Sequence, residues 1–208
     1  MKRTVNQTAD KQREYVLNQD DTAKLKMIAN NENLDILIDD VAFFIRKAVA
    51  EQGYGLDKLV DDDNRYVRAS VAEQGYGLDK LIDDKDWYVR AAVAKQGYGF
   101  DKLINDEDWF VRTAVAGEGY GLDRLINDDD SNVRTAVARQ GYGLDKLIND
   151  ESWVVREAVA KQGYGLKKLV NDDYPSVRIV AEKELENLRS MRENLGDKAS
   201  DKVVGIIH

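Results

Sequence analysis

Two oppositely charged residue types recur along the chain at a fixed spacing. Arginine stands at seven positions 22 residues apart, namely Arg46, Arg68, Arg90, Arg112, Arg134, Arg156 and Arg178. An aspartate stands six residues before each of them, at Asp40, Asp62, Asp84, Asp106, Asp128, Asp150 and Asp172. A row of arginines could bind phosphates, because the guanidinium fork matches their oxygens. Since the aspartate row is equally complete, the pattern favours a ladder in which each arginine pairs with an aspartate of its own or the next copy.

Most other residues that carry chemistry are missing. The chain has no cysteine, which excludes disulfides, thiolate metal sites, iron–sulfur clusters and cysteine nucleophiles. Its one histidine, His208, leaves no basis for a Ser–His–Asp triad or a histidine-rich metal site. We therefore predict a protein that is not an enzyme and has no catalytic residues, no cofactor and no resident metal.

Charge and hydropathy narrow the class further. The 39 acidic and 31 basic side chains give a formal charge of −8, which argues against direct nucleic-acid binding. No apolar run approaches the ~20 residues of a membrane span, and the first residues lack the apolar stretch of a signal peptide. We expect a soluble, cytoplasmic, monomeric protein.

A third marker, Gly-Tyr-Gly, recurs six times in the same 22-residue register, from Gly53 to Gly165. Within the copy at 81–102, Val89, Ala92 and Val93 share one face of a helix. Asp86 stands at its N-cap and Gly97 at its left-handed C-terminal position, as in a Schellman motif. A second helix of one to two turns follows, beginning at Phe100. Each copy is therefore predicted to be a pair of short helices.

Such short helices are marginal alone, so their apolar faces must be buried by stacking the copies. The sequence predicts an all-α protein, a right-handed α-solenoid about 60–70 Å long. Residues 1–36 are predicted to form an N-terminal helical cap and residues 37–178 about seven tandem repeats. Residues 179–208 are predicted to form a C-terminal capping helix and tail.

The order of these motifs resembles a known family. Val-Arg-x-Ala-Val-Ala, a glycine-containing turn, Leu-x-x-Leu and then Asp is similar to the leucine-rich repeat variant family, a solenoid of paired helices. The Asp-x5-Arg spacing is also similar to HEAT-type repeats. The resemblance covers roughly residues 34–185 and implies a fold and an interaction role. The iron–sulfur cluster of some members does not transfer, because this chain has no cysteine.

The turns that join the copies are strongly acidic, with 18 Asp or Glu residues against one Lys. Because equivalent turns of a solenoid lie along one edge, we predict an acidic edge that includes Asp62, Asp84, Asp106, Asp128 and Asp150. Three interpretations stay open: helix N-caps that also favour solubility, a recognition edge that mimics a nucleic-acid backbone, and metal binding. No turn matches the EF-hand loop.

Large side chains vary from copy to copy at the start of the first helix, whereas the Val-Arg-x-Ala-Val-Ala core barely changes. Variation at these positions is typical of a binding surface, and the alternative is packing between neighbouring first helices. The predicted partner-binding residues are Phe44, Tyr66, Trp87, Tyr88, Trp109, Phe110 and Trp153.

These features favour a protein–protein interaction scaffold that binds a partner protein along one face. A nucleic-acid-mimicking inhibitor of a DNA- or RNA-binding protein, and a metal-binding or accessory repeat protein, are the alternatives.

Overall fold

The computed structural model describes residues 2–195, and all regular secondary structure in this range is helical. The chain divides into two compact units, Met1–Leu103 (unit 1) and Ile104–His208 (unit 2). In both units pairs of short helices follow one another at regular intervals, so the predicted all-α, solenoid-type repeat fold is confirmed. The predicted tail at 196–208, with His208, lies outside the described residues.

Unit 1 begins with α1 (Lys2–Leu17), α2 (Asp21–Ala29) and α3 (Leu34–Leu37). Nine-residue helices then alternate with four-residue helices: α4 (Phe43–Glu51), α5 (Leu56–Leu59), α6 (Arg65–Glu73), α7 (Leu78–Leu81), α8 (Trp87–Lys95) and α9 (Phe100–Leu103). Within unit 1 the long helices pack side by side, α4 against α6 and α6 against α8.

Unit 2 continues the same alternation: α10 (Trp109–Gly117), α11 (Leu122–Leu125), α12 (Ser131–Arg139), α13 (Leu144–Leu147), α14 (Trp153–Lys161) and α15 (Leu166–Leu169). The pattern ends in the 21-residue helix α16 (Pro175–Leu195), which begins at the proline and packs against α14 and α15. Proline suits this first position because its fixed φ is helical and its missing N–H has no partner there.

The core is built from residues that repeat at the same places in every copy. Val67, Val89 and Leu81 of unit 1 and Val133 and Leu147 of unit 2 are almost completely buried. Because each copy places these side chains against its neighbours, the helices are stabilised by stacking rather than by their own length.

The first glycine of each Gly-Tyr-Gly ends a long helix in the way the sequence predicts. Behind α6 the Gly75 N–H donates to the Ala72 carbonyl at 2.8 Å, and the Tyr76 N–H donates to the Val71 carbonyl at 3.2 Å. These two bonds define a Schellman motif, and Gly75 adopts the positive φ of +73° that it requires.

The second glycine allows two copies to approach closely. Gly143 has a φ of +59°, and a Cβ added there would lie 2.1 Å from the Ile126 Cδ1 of the preceding copy. A Cβ added at Gly141 would have no neighbour within 4 Å. The two glycines of one turn therefore serve different purposes, the first conformational and the second both conformational and steric.

The N-terminal region contains a further copy that the repeat markers do not reveal. Asn31 and Asn33 stand 22 residues before Gly53 and Gly55 and take the same positive φ, +58° and +55°. The Asn31 and Glu32 N–H groups donate to Ile28 and Met27, forming the same Schellman bonds. Asparagine tolerates this left-handed conformation better than other side chains. Part of the segment that the sequence analysis treats as a cap, α2 and α3, thus has the geometry of the repeat.

The two glycines of the Gly141-Tyr142-Gly143 turn provide a matched stability test. We expect Gly141→Ala to lower the free energy of unfolding by about 1–2 kcal/mol, the cost of a left-handed alanine. Gly143→Ala should cost about 1–3 kcal/mol more, because Ile126 must move. Urea denaturation followed by circular dichroism measures both, and Gly141→Asn is the control expected to lose least. Equal losses for the two alanine variants would contradict the close approach.

Candidate functional site

Five arginines of the row, within one unit or the other, bind an aspartate of the following copy. Arg68 Nε donates to Asp84 Oδ2 at 2.6 Å and its Nη2 donates to Oδ1 at 2.9 Å, so the pair is bidentate. The remaining nitrogen, Nη1, donates to the Asp62 carbonyl of its own turn at 2.7 Å. The same arrangement joins Arg46 to Asp62 in unit 1 and Arg112 to Asp128, Arg134 to Asp150 and Arg156 to Asp172 in unit 2. The predicted ladder is confirmed, and it connects copies rather than closing within one.

The aspartate of each pair also organises its own turn. Asp84 Oδ1 accepts a hydrogen bond from the Asp86 N–H at 2.9 Å, and the Asp86 side chain accepts one from the Tyr88 N–H at 2.9 Å. Asn64, Asp108 and Asp130 make the same N-cap bond. Ser152 stands at the N-cap of α14, but its side chain makes no cap bond. The ladder thereby fixes where each long helix begins.

The ladder lowers the pKa of four of its carboxyl groups, Asp62, Asp84, Asp128 and Asp172. Burial acts to raise the pKa of Asp84, but the hydrogen bonds from Arg68 and from the Asp86 N–H outweigh it and lower the pKa below its ordinary value. At Asp172 the hydrogen bond from Arg156 is the strongest influence, and the pKa is again lowered. The hydrogen bond to Asp84 and the charge of that carboxylate raise the pKa of Arg68 in turn. Both members of the Arg68–Asp84 pair are therefore stabilised in their charged forms.

The five aspartates predicted to form an acidic edge are not the exposed acidic residues of the turns. Asp62, Asp84, Asp128 and Asp150 have only 7–8% of their side chains exposed and face an arginine rather than solvent. Asp106 is partly buried and accepts a bond from the Asp108 N–H at 2.9 Å. The exposed acidic positions lie one residue further on, where Asp63 is 91% exposed; its equivalents are Glu107, Asp129, Glu151 and Asp173, with Lys85 in the same column.

A second row of basic side chains lies on the short helices and binds polar side chains of the preceding turns. In unit 1 Lys58, Lys80 and Lys102 bind Asp39, Asp61 and Asp83 of the preceding turns. In unit 2 the partners are asparagines: Arg124 with Asn105, Lys146 with Asn127 and Lys168 with Asn149. The outward negative charge of the turns is therefore smaller than the sequence count of acidic residues indicates.

The variable aromatic residues of unit 1 form one connected group at the starts of α4, α6 and α8. Phe43 stacks on Tyr66 with ring centroids 5.8 Å apart, and Tyr66 meets Tyr88 edge-on at 5.4 Å. The aromatic cluster is defined as Phe43, Phe44, Tyr66, Trp87 and Tyr88. The structure thus brings together all four partner-binding residues predicted in unit 1 and adds Phe43.

Arg65 is also part of this surface, although it is not among the partner-binding residues predicted from the sequence. Its guanidinium carbon lies 4.8 Å from the Tyr66 ring centroid and 5.9 Å from that of Tyr88. Its position in the first turn of α6, beside Tyr66, could have indicated this role. Phe43 and Phe44 each keep 38% of their surface exposed, and Val41 before them is fully exposed. The cluster therefore packs between copies and still faces solvent.

In unit 2 the predicted aromatic residues form two separate pairs. Trp109 stacks on Phe110 with ring centroids 3.7 Å apart, and Trp153 stacks on Tyr174 at 4.4 Å. The copy between them begins with Ser131 and Asn132 and has no ring there. Tyr174 is a member that sequence reasoning missed, because it precedes Pro175 where the other copies have a cap residue.

The described residues and the comparisons with known proteins define only a general class for this chain. Across residues 2–195 no group of three or more His, Asp or Glu side chains is arranged to hold a metal ion, and no helix there is long and apolar enough to cross a membrane. In comparisons with known proteins, no family model and no curated protein matches the sequence. The fold and the ladder define this chain as an α-helical repeat protein.

Removing one carboxylate of the ladder tests its contribution to stability. We expect Asp84→Asn to lower the free energy of unfolding by about 2–4 kcal/mol, because the largely buried Arg68 loses its counter-charge. Urea unfolding measures the loss. The control is Asp61→Asn, which removes an equal charge from a largely exposed pair with Lys80 and should cost less than about 1 kcal/mol. Comparable losses for the two variants would show that the ladder pair contributes no more to stability than an exposed ion pair does.

The lowered aspartate pKa values also predict the pH dependence of stability. A carboxyl whose pKa is lower in the folded chain stabilises it above the unfolded pKa of about 3.9, and this contribution is lost as the pH falls through the folded value. The urea midpoint should therefore be nearly constant between about pH 5 and pH 8 and fall below about pH 4. Asp84→Asn should show a shallower fall, and curves of equal steepness would contradict this assignment.

Proposed function

We propose that this chain is a non-enzymatic protein–protein interaction scaffold that binds a partner protein along the face carrying the aromatic cluster. The observation that carries the proposal is that these rings are held in place by one another while Phe43 and Phe44 remain 38% exposed. Tyr, Trp and Arg dominate the energetics of protein interfaces. Rings already held in place lose little conformational freedom when a partner binds, which favours affinity.

Packing alone does not account for aromatic residues at these positions. Helix α12 has the same length as α6 and α8 and buries the same six positions, but it begins with Ser131 and Asn132. The repeat therefore forms without rings at the start of its first helix. Aromatic side chains there are better explained by selection for a surface than by a requirement of the core.

We also propose that the chain belongs to the leucine-rich repeat variant or HEAT-like class and forms a right-handed superhelix. We further propose that it is monomeric and cytoplasmic. The Val-Arg-x-Ala-Val-Ala and Asp-x5-Arg patterns support the class. The Arg–Asp pairs between consecutive copies supply the stacking contact that such repeats need.

The test compares partner capture by the intact chain and by Phe44→Ala. The tagged protein is used to isolate partners from its native host, and the purified partner is then titrated against both chains. We expect at least a tenfold loss of affinity for Phe44→Ala, the size typical of an interface hot spot. The thermal midpoint should change little, because Phe44 is partly exposed.

The matched control is Tyr76→Ala, which removes an exposed aromatic ring of unit 1 outside the cluster. It should bind the partner as the intact chain does. Equal affinity of the partner for Phe44→Ala and for the intact chain would refute the assignment. A large fall in the thermal midpoint of Phe44→Ala would place that ring in the core and would refute it as well.

A second candidate is an acidic decoy that occupies the nucleic-acid groove of another protein. The exposed carboxylates Asp63, Glu107, Asp129 and Glu151 favour it, and in unit 2 a groove between consecutive turns is lined in part by Glu107, Asp128 and Asp129. Such binding should weaken steeply as salt is added and should be insensitive to Phe44→Ala. Binding through the aromatic cluster should show the opposite pattern.

A further inference from the structure

The arginine row has an end in α16 that differs from its interior. Arg178 makes the same backbone bonds as the arginines before it: its Nη1 donates to the carbonyls of Asp172 and Asp173 at 2.6 and 3.0 Å. In Arg134 the equivalent bonds measure 2.8 and 3.0 Å. The guanidinium of Arg178 is therefore held as it is in an interior copy.

The other edge of this guanidinium has no acceptor among residues 2–195. Arg134 binds the Asp150 carboxylate with Nε and Nη2 at 2.8 and 2.9 Å, and Arg156 binds Asp172 in the same way. Within residues 2–195 no carboxylate forms an ion pair with Arg178, because α16 continues to Leu195 where the other copies turn. Arg178 thus presents two N–H donors, Nε and Nη2, that no carboxylate of the described part of the chain accepts.

An apolar side chain stands beside it on a face that interior copies cover. Thr135, one position after Arg134, is 3% exposed. Glu157, its equivalent in α14, accepts a hydrogen bond from Ser176 of α16, so the following helix covers this column. The next member of the column is Ile179, which is 63% exposed.

We propose that the start of α16, around Arg178 and Ile179, is a second interaction surface. It binds a partner segment that carries an aspartate just before an apolar helix. The aspartate would take the place that Asp150 and Asp172 occupy on Arg134 and Arg156, and the helix would cover Ile179. Bidentate pairing selects a carboxylate over a neutral amide, because both acceptors are then charged oxygens. This surface is distinct from the aromatic cluster, and the proposal does not depend on the function proposed above.

The sequence at the N-terminal end of the repeats favours a separate partner over a second copy of the chain. The N-terminal position in register with the aspartate row, 22 residues before Asp40, is Asn18, which has only one side-chain oxygen. On α16 itself, Glu182 stands where interior copies have a fully buried alanine, such as Ala138 and Ala160. Glu182 therefore limits how closely any helix can approach.

The probe is a labelled peptide with the sequence of residues 149–162, which contains Asp150 and the apolar face of α14. Its binding to the full chain is followed by fluorescence anisotropy. We expect saturable binding that weakens at least tenfold for Arg178→Gln and for a peptide carrying Asp150→Asn. Glu182→Ala, which restores the interior residue, should strengthen binding.

Matched controls separate this site from general attraction between charges. Arg189→Gln removes the same charge from an exposed position further along α16 and should leave affinity unchanged. Ile179→Asp, at an exposed position where folding should be unaffected, should weaken binding at least tenfold, as Arg178→Gln does.

Three results would overturn the proposal. They are the absence of saturable binding at about 1 mM peptide, equal losses for Arg178→Gln and Arg189→Gln, and self-association of the chain that Arg178→Gln abolishes. A chain ending at residue 195 that binds the peptide at least tenfold more tightly than the full chain would identify the tail as the occupant and would overturn it too.

Discussion

The bidentate bond between an arginine and the aspartate of the following copy is the interaction on which the repeats depend. One carboxylate receives Nε and Nη2 of the arginine and also the backbone N–H that starts the next long helix, as Asp84 does with Arg68 and Asp86. A single side chain therefore sets both the contact between copies and the point where a helix begins. Nine-residue helices are marginal in isolation, so this coupling adds to the stability that they gain from stacking.

The turn at the other end of each long helix imposes the second constraint. The second glycine lies so close to the preceding copy that a side chain there would displace its neighbour, as Ile126 shows at Gly143. With the ladder at one end and this close approach at the other, consecutive long helices are held in a fixed relation. The first-turn positions between them carry little structural demand, which is why Phe43 and Phe44 in one copy and Ser131 and Asn132 in another are compatible with the same helix.

The ladder also changes the meaning of the net charge of −8. Most aspartates of the row form ion pairs with arginines of the preceding copy. Their negative charge is therefore largely neutralised and does not face solvent. What faces outward is the next residue of each turn, Asp63 and its equivalents, together with the rings of the aromatic cluster. The outward surface is accordingly mixed, because it combines acidic turn residues with the aromatic cluster and Arg65.

The sequence by itself determined the period, the helix pairs, the N-cap and C-terminal positions and the pairing of the two charged rows, because each depends on local backbone preferences repeated in register. It could not decide whether an arginine binds the aspartate of its own copy or of the next, since both are compatible with the spacing. It also missed the copy in which Asn31 and Asn33 replace glycine, and it named buried carboxylates as a surface. Only the tertiary structure decided these points, because they depend on which side chains face each other across neighbouring helices.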